Sequence, residues 1–290
     1  MIVVNCDLFK KEIEQNGIKC IRLWKSSSAI ALRICKLFRK FHLYKYGNIN
    51  PELNNLDSDC IVVFDNGIYE NSVLKWIANR YYNKRLIFYY WNPVFKSISP
   101  LKIPKQFELW SYSPNDCKKY NMKYNSTFYF QDFCKKPVPI KRDVFFIGKN
   151  KGRLNKLMEI KKSLSALGIS SLFYITANHP RLKQKKYQRP IPYRKVLEYV
   201  NESKIILDFY VNSHAGLSLR AMESIFFEKK IITNNETYPN YDFYNKENVF
   251  IMGKDKEEDL SKFISSPFVL LDNQIKKQYL FSCWINHFYK

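Results

Sequence analysis

Arg220 and Glu223 stand three residues apart in the run Ile205 to Thr233, IILDFYVNSHAGLSLRAMESIFFEKKIIT. The run reads as a strand, IILDF, a loop ending at Gly216, a helix from Ser218 to Phe227, and a strand from Lys230 to Thr233. At i, i+3 the two side chains share one helical face. An arginine in the first turn of such a helix can bind diphosphate oxygens through both arms of its guanidinium. A glutamate one turn later can accept from both hydroxyls of a ribose. The same pair can equally be an exposed ion pair that contributes little.

A second candidate is Asp143 to Arg153, DVFFIGKNKGR. A buried strand ends at Gly148, and Gly152-Arg153 open a helix. Glycines there let the backbone approach a ligand, and a helix N-terminus presents free N–H groups and partial positive charge. Lys149, Lys151 and Arg153 add charge suited to phosphate. An ordinary strand-to-helix turn has the same look. For acid–base work the candidates are Asp65 and His214. Asp65 follows the apolar run Cys60 to Phe64, at the strand edge where open α/β sheets bind ligands. Asp65-Asn66-Gly67 also suits a plain turn. His214 could instead position a phosphate or sugar. His42, His179 and His287 have no partner identifiable from sequence.

The elements that must position these residues alternate. Strands are expected at 60–64, 85–91 and 107–112 with a helix at 72–82 between the first two. A second block has strands at 144–147, 171–175, 205–209 and 230–233, with helices at 154–167, 193–200 and 218–227. Such alternation implies parallel sheets with crossover helices. KKPVPIKR, Lys135 to Arg142, reads as a linker between two α/β halves. Gln278 to Tyr289 reads as an apolar terminal helix that needs a surface to cover.

Composition narrows the partners. Lys and Arg number 48 against 26 Asp and Glu, a net charge of +22, so an anionic partner is expected. Nucleic acid, acidic lipid, a phosphorylated saccharide and a nucleotide-linked substrate all qualify. No helix-turn-helix, zinc-finger or RNP pattern appears, which disfavours nucleic acid. Ile21 to Tyr46 holds seven basic residues and no acidic one among Trp24, Leu32, Leu37, Phe38 and Phe41. Its helical part, Ala29 to Tyr44, could lie on an acidic membrane through Trp24, Lys36, Arg39 and Lys40, or could pack on the domain with a solvated basic face. Arg181 to Lys195, with seven basic residues and no acidic one, is a solvated loop or faces an anion. Seven cysteines without zinc spacing read as reduced thiols. No secretory signal is visible and no apolar run is long enough to span a bilayer, so a soluble or peripheral cytoplasmic protein is expected.

The run GLSLRAMES…KKIIT resembles the donor-site helix of GT-B glycosyltransferases, especially bacterial transferases of lipopolysaccharide and capsule synthesis. The matching residues are Asp208, Gly216, Leu217, Ser218, Arg220, Glu223, Lys230, Thr233, Asn234 and Tyr241-Asp242-Phe243-Tyr244. FDNGIY at 64–69, YYWNPV at 89–94, WSYSPNDCKKYNMKYN at 110–125, FFIGKNKGR at 145–153 and IPY at 191–193 match in the same order. The resemblance implies an α/β protein of two Rossmann-like domains with a cleft between them. Residues 1–138 would bind the acceptor, 139–270 the nucleotide-sugar, and 271–290 would return to the first domain. It further implies that Glu223 takes the ribose, and that Arg220, Ser218 and the Gly216 loop, with Gly148, Lys151 and Arg153, take the diphosphate. No cofactor and no metal is expected: cationic side chains and helix N-termini would stabilise the leaving group. The acceptor would be a lipid-linked saccharide, as in lipopolysaccharide core assembly, at the inner face of the cytoplasmic membrane. The chain departs from the pattern at Val211 and His214, where His and Gln are usual, and at Glu228-Lys229, where glycine is common. These departures motivate a second reading, a non-catalytic relative serving as a membrane-bound scaffold.

Overall fold

The computed structural model describes residues 1–4, 9–25, 49–66, 68, 71–134, 136–178, 187–211 and 216–289. The expected basic helix 29–44, residues 181–186 of the basic loop 181–195, and His42, His179 and His214 lie outside them. The chain divides into two compact units, Met1–Ser126 and Thr127–Lys290. Each is a parallel sheet flanked by helices, a Rossmann-like lobe, and two such lobes in one chain is the arrangement of GT-B proteins.

The first unit contains β1 (Ile2–Val4), α1 (Lys10–Gln15), β2 (Cys20–Arg22), β3 (Cys60–Phe64), α2 (Ser72–Arg80), β4 (Arg85–Tyr90), β5 (Phe107–Ser111), α3 (Pro114–Tyr120) and β6 (Lys123–Tyr124). β3 reads CIVVF with every residue buried, and β4 reads RLIFYY with only Arg85 partly exposed. Unbroken apolar runs of this kind require cover on both faces, the condition of a parallel sheet. The six strands are indeed all parallel, in the order β2-β1-β3-β4-β5-β6. Ile61, Val63, Leu86 and Phe88 pack with Leu74 and Ile77 of α2 in one core. The chain builds β2 on one side of β1, then returns past β1 to build β3 to β6 on the other. The carboxyl ends of β1 and β3 therefore form a topological switch point, where such sheets leave a crevice. Periodicity misses β1, β2 and β6, because strands of two or three residues are too short to show a repeat.

The second unit contains β7 (Arg142–Lys149), α4 (Leu154–Ala166), β8 (Ser171–Thr176), α5 (Tyr193–Asn201), β9 (Ser203–Asp208), α6 (Leu219–Phe227), β10 (Lys230–Thr233), β11 (Val249–Ile251), α7 (Leu260–Ser265), α8 (Asn273–Gln278) and α9 (Phe281–Asn286). Its five parallel strands run β8-β7-β9-β10-β11 across the sheet, the same path as the first five strands of the other unit. Here the switch point lies between β7 and β9. Val144, Phe146, Ile205, Leu207 and Ile232 fill the core against Leu157 and Leu164 of α4.

The expected terminal helix over 278–289 is not continuous. α8 ends at Gln278, and Leu280 forms an isolated parallel bridge with Tyr129. Tyr129 N–H donates to Tyr279 O, and Phe281 N–H donates to Tyr129 O, each at 2.8 Å. These bonds interrupt the helical ladder and restart it as α9. Trp284 and Phe281 then pack on Phe128 and Phe130, with the Phe128–Trp284 centroids 4.4 Å apart. The surface that the terminal aromatics cover is thus residues 128–130 of their own unit. Among the described residues no helix is long and apolar enough to cross a membrane.

Candidate functional site

Two loops leave the carboxyl edge of the second sheet on either side of its switch point. The first joins β7 to α4. Lys151 and Gly152 take left-handed backbone angles, φ +48° and +83°, which reverse the chain and set Arg153 at the start of α4. Asn150 Oδ1 accepts from Leu154 N–H at 2.9 Å and caps the helix, while Lys151 N–H donates to Asn178 Oδ1 at 2.7 Å. Arg153 then folds back over the sheet. Its guanidinium lies 5.0 Å from the Phe146 ring centroid and donates to Lys149 O and to Phe209 O. One cation therefore spans the carboxyl ends of β7 and β9. A Cβ at Gly148 would come within 2.6 Å of Arg153 Nη2, so Gly148 makes room for this arginine and not, in this arrangement, for a ligand. Lys149 and Lys151 are exposed beside it.

The second loop joins β9 to α6. Ser218 caps α6: its Oγ accepts from Arg220 N–H at 2.9 Å and donates to Asp208 Oδ2 at 2.7 Å. Ser218 N–H donates to Tyr210 OH at 3.0 Å, and Tyr238 OH donates to Asp208 Oδ2 at 3.3 Å. Asn234 pairs with the backbone of Tyr210 in both directions, at 2.7 and 2.9 Å, and so ties the ends of β9 and β10 together. Asp208 is buried, which pushes its carboxyl up; the Ser218 and Tyr210 hydroxyls and the charges of Arg220 and Arg153 pull the other way. Two arginines and one buried carboxylate thus converge on one sheet edge.

Behind the loop, α6 turns Glu223 into the protein. The carboxyl is fully buried and ion-paired with Arg220, whose side chain is 14% exposed. Tyr193 OH, from α5, donates to the same oxygen, Glu223 Oε1, at 2.9 Å and lies 3.3 Å from Tyr129 OH. Burial pushes the Glu223 carboxyl up to about 7, against the pull of Arg220 and Tyr193. Glu223 Oε2 and Arg220 Nη1 are buried without a hydrogen-bond partner. One open acceptor and one open donor are the complement of a hydroxyl group. A buried polar atom left unpaired is costly.

In the first unit Asp65 directly follows β3 at the switch point. Its Oδ1 accepts from Trp91 N–H at 3.0 Å and from Asn92 Nδ2 at 3.2 Å. These bonds tie the ends of β3 and β4; the local turn that the sequence allowed is closed by the backbone, Ile68 N–H donating to Asp65 O at 3.1 Å. The other oxygen, Oδ2, is buried and unpaired. Burial raises the carboxyl to about 6 despite the Trp91 and Asn92 donors, so the group could exchange a proton near neutrality.

Gly148, Lys151, Arg153, Gly216, Ser218, Arg220 and Glu223 all fall on the end of β7, the two loops and α6 beside the second switch point. Arg220 and Glu223 form a buried pair and not an exposed one. His214 lies outside the described residues, as do Lys36, Arg39 and Lys40; Trp24 is half-buried and packs on the first core. Tyr193, Tyr210, Tyr238 and Asn234 were not singled out as site residues. Asp208, Asn234 and Tyr193 fell within the resembling motifs, and Asp208 stood out besides as a charged end to an apolar strand. The Asp57-Ser58-Asp59 triplet precedes β3, at the edge opposite the switch-point crevice. Among the described residues no group of three or more His, Cys, Asp or Glu is placed to hold a metal ion. No protein-family model matches the chain, and no curated protein matches it.

Proposed function

We propose that the chain is a glycosyltransferase that takes a nucleotide-sugar donor in its second unit. The observation that carries this reading is the Arg153, Arg220 and Glu223 constellation at the switch point of the second sheet. In the proposal the donor diphosphate draws Arg220 away from Glu223 and pairs with Arg220, Arg153 and Lys151, beside Gly216, Gly148 and the Ser218-capped start of α6. The freed Glu223 carboxylate then accepts from the ribose hydroxyls. Guanidinium groups and helix N–H groups supply the charge that the departing diphosphate needs. Asp65 is the proposed base for the acceptor hydroxyl, with His214 the other candidate. The acceptor is proposed to be a lipid-linked saccharide, as in lipopolysaccharide core assembly, and the +22 charge favours a membrane-borne, anionic one.

The test is calorimetry with UDP-, TDP- and CMP-sugars against the wild type and Glu223→Gln. Gln keeps the shape and still accepts from Tyr193 but offers the ribose no carboxylate. One donor is expected to bind the wild type and to bind the variant at least about tenfold more weakly, the worth of one charged hydrogen bond. Absence of binding by every nucleotide-sugar would sink the reading and leave the non-catalytic scaffold.

A further inference from the structure

Between β4 and β5 the first unit makes two successive 3-10 turns, Val94–Lys96 and Pro100–Lys102. Both repeat one pattern: a buried apolar residue, a large exposed apolar residue, and an exposed lysine. Phe95 is 64% exposed and Leu101 is 93% exposed, whereas Val94 and Pro100 are buried. Lys96 and Lys102 follow them, and Lys105 is exposed just beyond. No acidic residue occurs from Pro93 to Gln106.

The backbone that presents these side chains is anchored. Val94, Ile98 and Ile103 belong to the core of the first unit. Tyr90 OH donates to Ile98 O at 2.8 Å, and Val94 N–H donates to the Asp116 carboxylate at 3.1 Å. Six residues of chain hold Phe95 and Leu101 within about 20 Å of one another. Lys96 Nζ lies 5.1 Å from the Phe95 ring centroid, so the cation travels with the ring. Single exposed apolar residues are ordinary. Here two recur at the same place in consecutive turns, each followed by a lysine, in a stretch of sequence without an acidic residue; the Asp116 carboxylate that reaches it is taken up by Val94 N–H.

We propose that these paired turns dock the first unit on an anionic lipid surface. Phe95 and Leu101 enter the headgroup–acyl boundary, and Lys96, Lys102 and Lys105 stay at the level of the phosphates. Charge complementarity selects the partner: an apolar tip beside a flexible ammonium suits a surface that is apolar below and anionic above. These turns, residues 93–106, are a different stretch of chain from the basic segment 21–46, and they belong to the first unit while the nucleotide-sugar site is proposed for the second.

The experiment is partition of the full chain onto vesicles of phosphatidylglycerol and phosphatidylethanolamine, with phosphatidylcholine vesicles for comparison. Wild type is expected on the anionic vesicles and not on the neutral ones. Phe95→Ser with Leu101→Ser is expected to weaken partition at least about tenfold, since two side chains lose their burial. Each of Lys96, Lys102 and Lys105 changed to Gln is expected to weaken it about fivefold, an effect that salt removes. Phe95→Trp is expected to shift its emission to the blue on the anionic vesicles. Failure of the wild type to bind, equal binding to neutral vesicles, or undiminished partition of the double Ser variant with an unchanged melting temperature would each overturn the proposal. Binding to an acidic protein in place of lipid shows itself as the first of these. Calorimetry with nucleotide-sugars on the same variants keeps the two sites distinct: vesicle binding without donor binding removes the transferase reading only.

Discussion

Replacing Arg220 by Met tests whether the charge pair of the second unit is buried, as the fold places it, or exposed, as its i, i+3 spacing permits. Glu223 is 0% exposed and the Arg220 side chain 14%. Removing one partner of a buried pair costs about 3–5 kcal/mol, because the survivor is stranded as a charge. An exposed pair contributes about 0–1 kcal/mol. The stranded group titrates, which gives the prediction a sign. Glu223 is already held up at about 7 with Arg220 beside it. Without the guanidinium it rises further, while in the unfolded chain it stays at about 4.3. Between those two values the folded state binds a proton that the unfolded state has released, so stability falls as pH rises through the window. The deficit of Arg220→Met relative to wild type is therefore expected to reach about 3–5 kcal/mol near pH 9 and to shrink toward pH 5, where the carboxyl is neutral in both. Arg220→Met with Glu223→Gln removes both charges of the pair and is expected to recover part of the loss at high pH. Native-state hydrogen exchange at the β9 and α6 amides reads the free energy in the unit concerned. A deficit below about 1 kcal/mol near pH 9, abolished by salt, would refute the reasoning. The same logic makes Glu223→Ala a poor probe of function, because it strands Arg220 and the Tyr193 hydroxyl and weakens the fold as well as the site.

Two further outcomes follow from particular side chains. Asp65 is raised to about 6 by burial, so the first unit is expected to lose up to about 3 kcal/mol as pH rises from about 4 to about 6, roughly two units at 1.36 kcal/mol each. Asp65→Asn keeps the acceptor for Trp91 N–H and is expected to remove that slope; urea titrations at several pH values that retain it would count against the burial. Gly148→Ala sets a Cβ 2.6 Å from Arg153 Nη2, the end of a flexible side chain, and is expected to move Arg153 and weaken nucleoside diphosphate binding with little loss of stability. Gly152→Ala meets no atom but must hold φ +83°, and is expected to cost about 1–2 kcal/mol with the Arg153 contacts kept. Melting temperatures and calorimetry with UDP and TDP separate the two, and identical effects from both would contradict the geometry.

The candidate residues were legible where chemistry follows from local spacing. Gly216, Ser218, Arg220 and Glu223 lie on one strand–loop–helix unit whose apolar run and cap residue announce its form. Tyr193 and Tyr238 were not legible as partners, because a tyrosine in an apolar helix or turn reads as packing until the group facing its hydroxyl is known. The terminal segment misled for a related reason. Its aromatic residues suit a helix, but Tyr129, from far earlier in the chain, takes the hydrogen bonds that would have continued it. At Gly148 the spacing marked a close approach without saying of what, and the group that lies against it is the Arg153 guanidinium.

The amino-acid sequence alone determined two α/β halves, because strands such as CIVVF and IILDF are apolar on both faces and only a sheet covered on both sides can hold them. It also determined which residues stand at strand ends, since the apolar runs stop there at Asp65, Gly148 and Asp208. Strand order was left to the tertiary structure, and with it the switch point that brings Arg153 to Phe209, 56 residues away. The protonation behaviour of Glu223 and Asp65 was decided there too. A carboxyl titrates according to what excludes water from it, and the groups that do so come from elements distant in the chain.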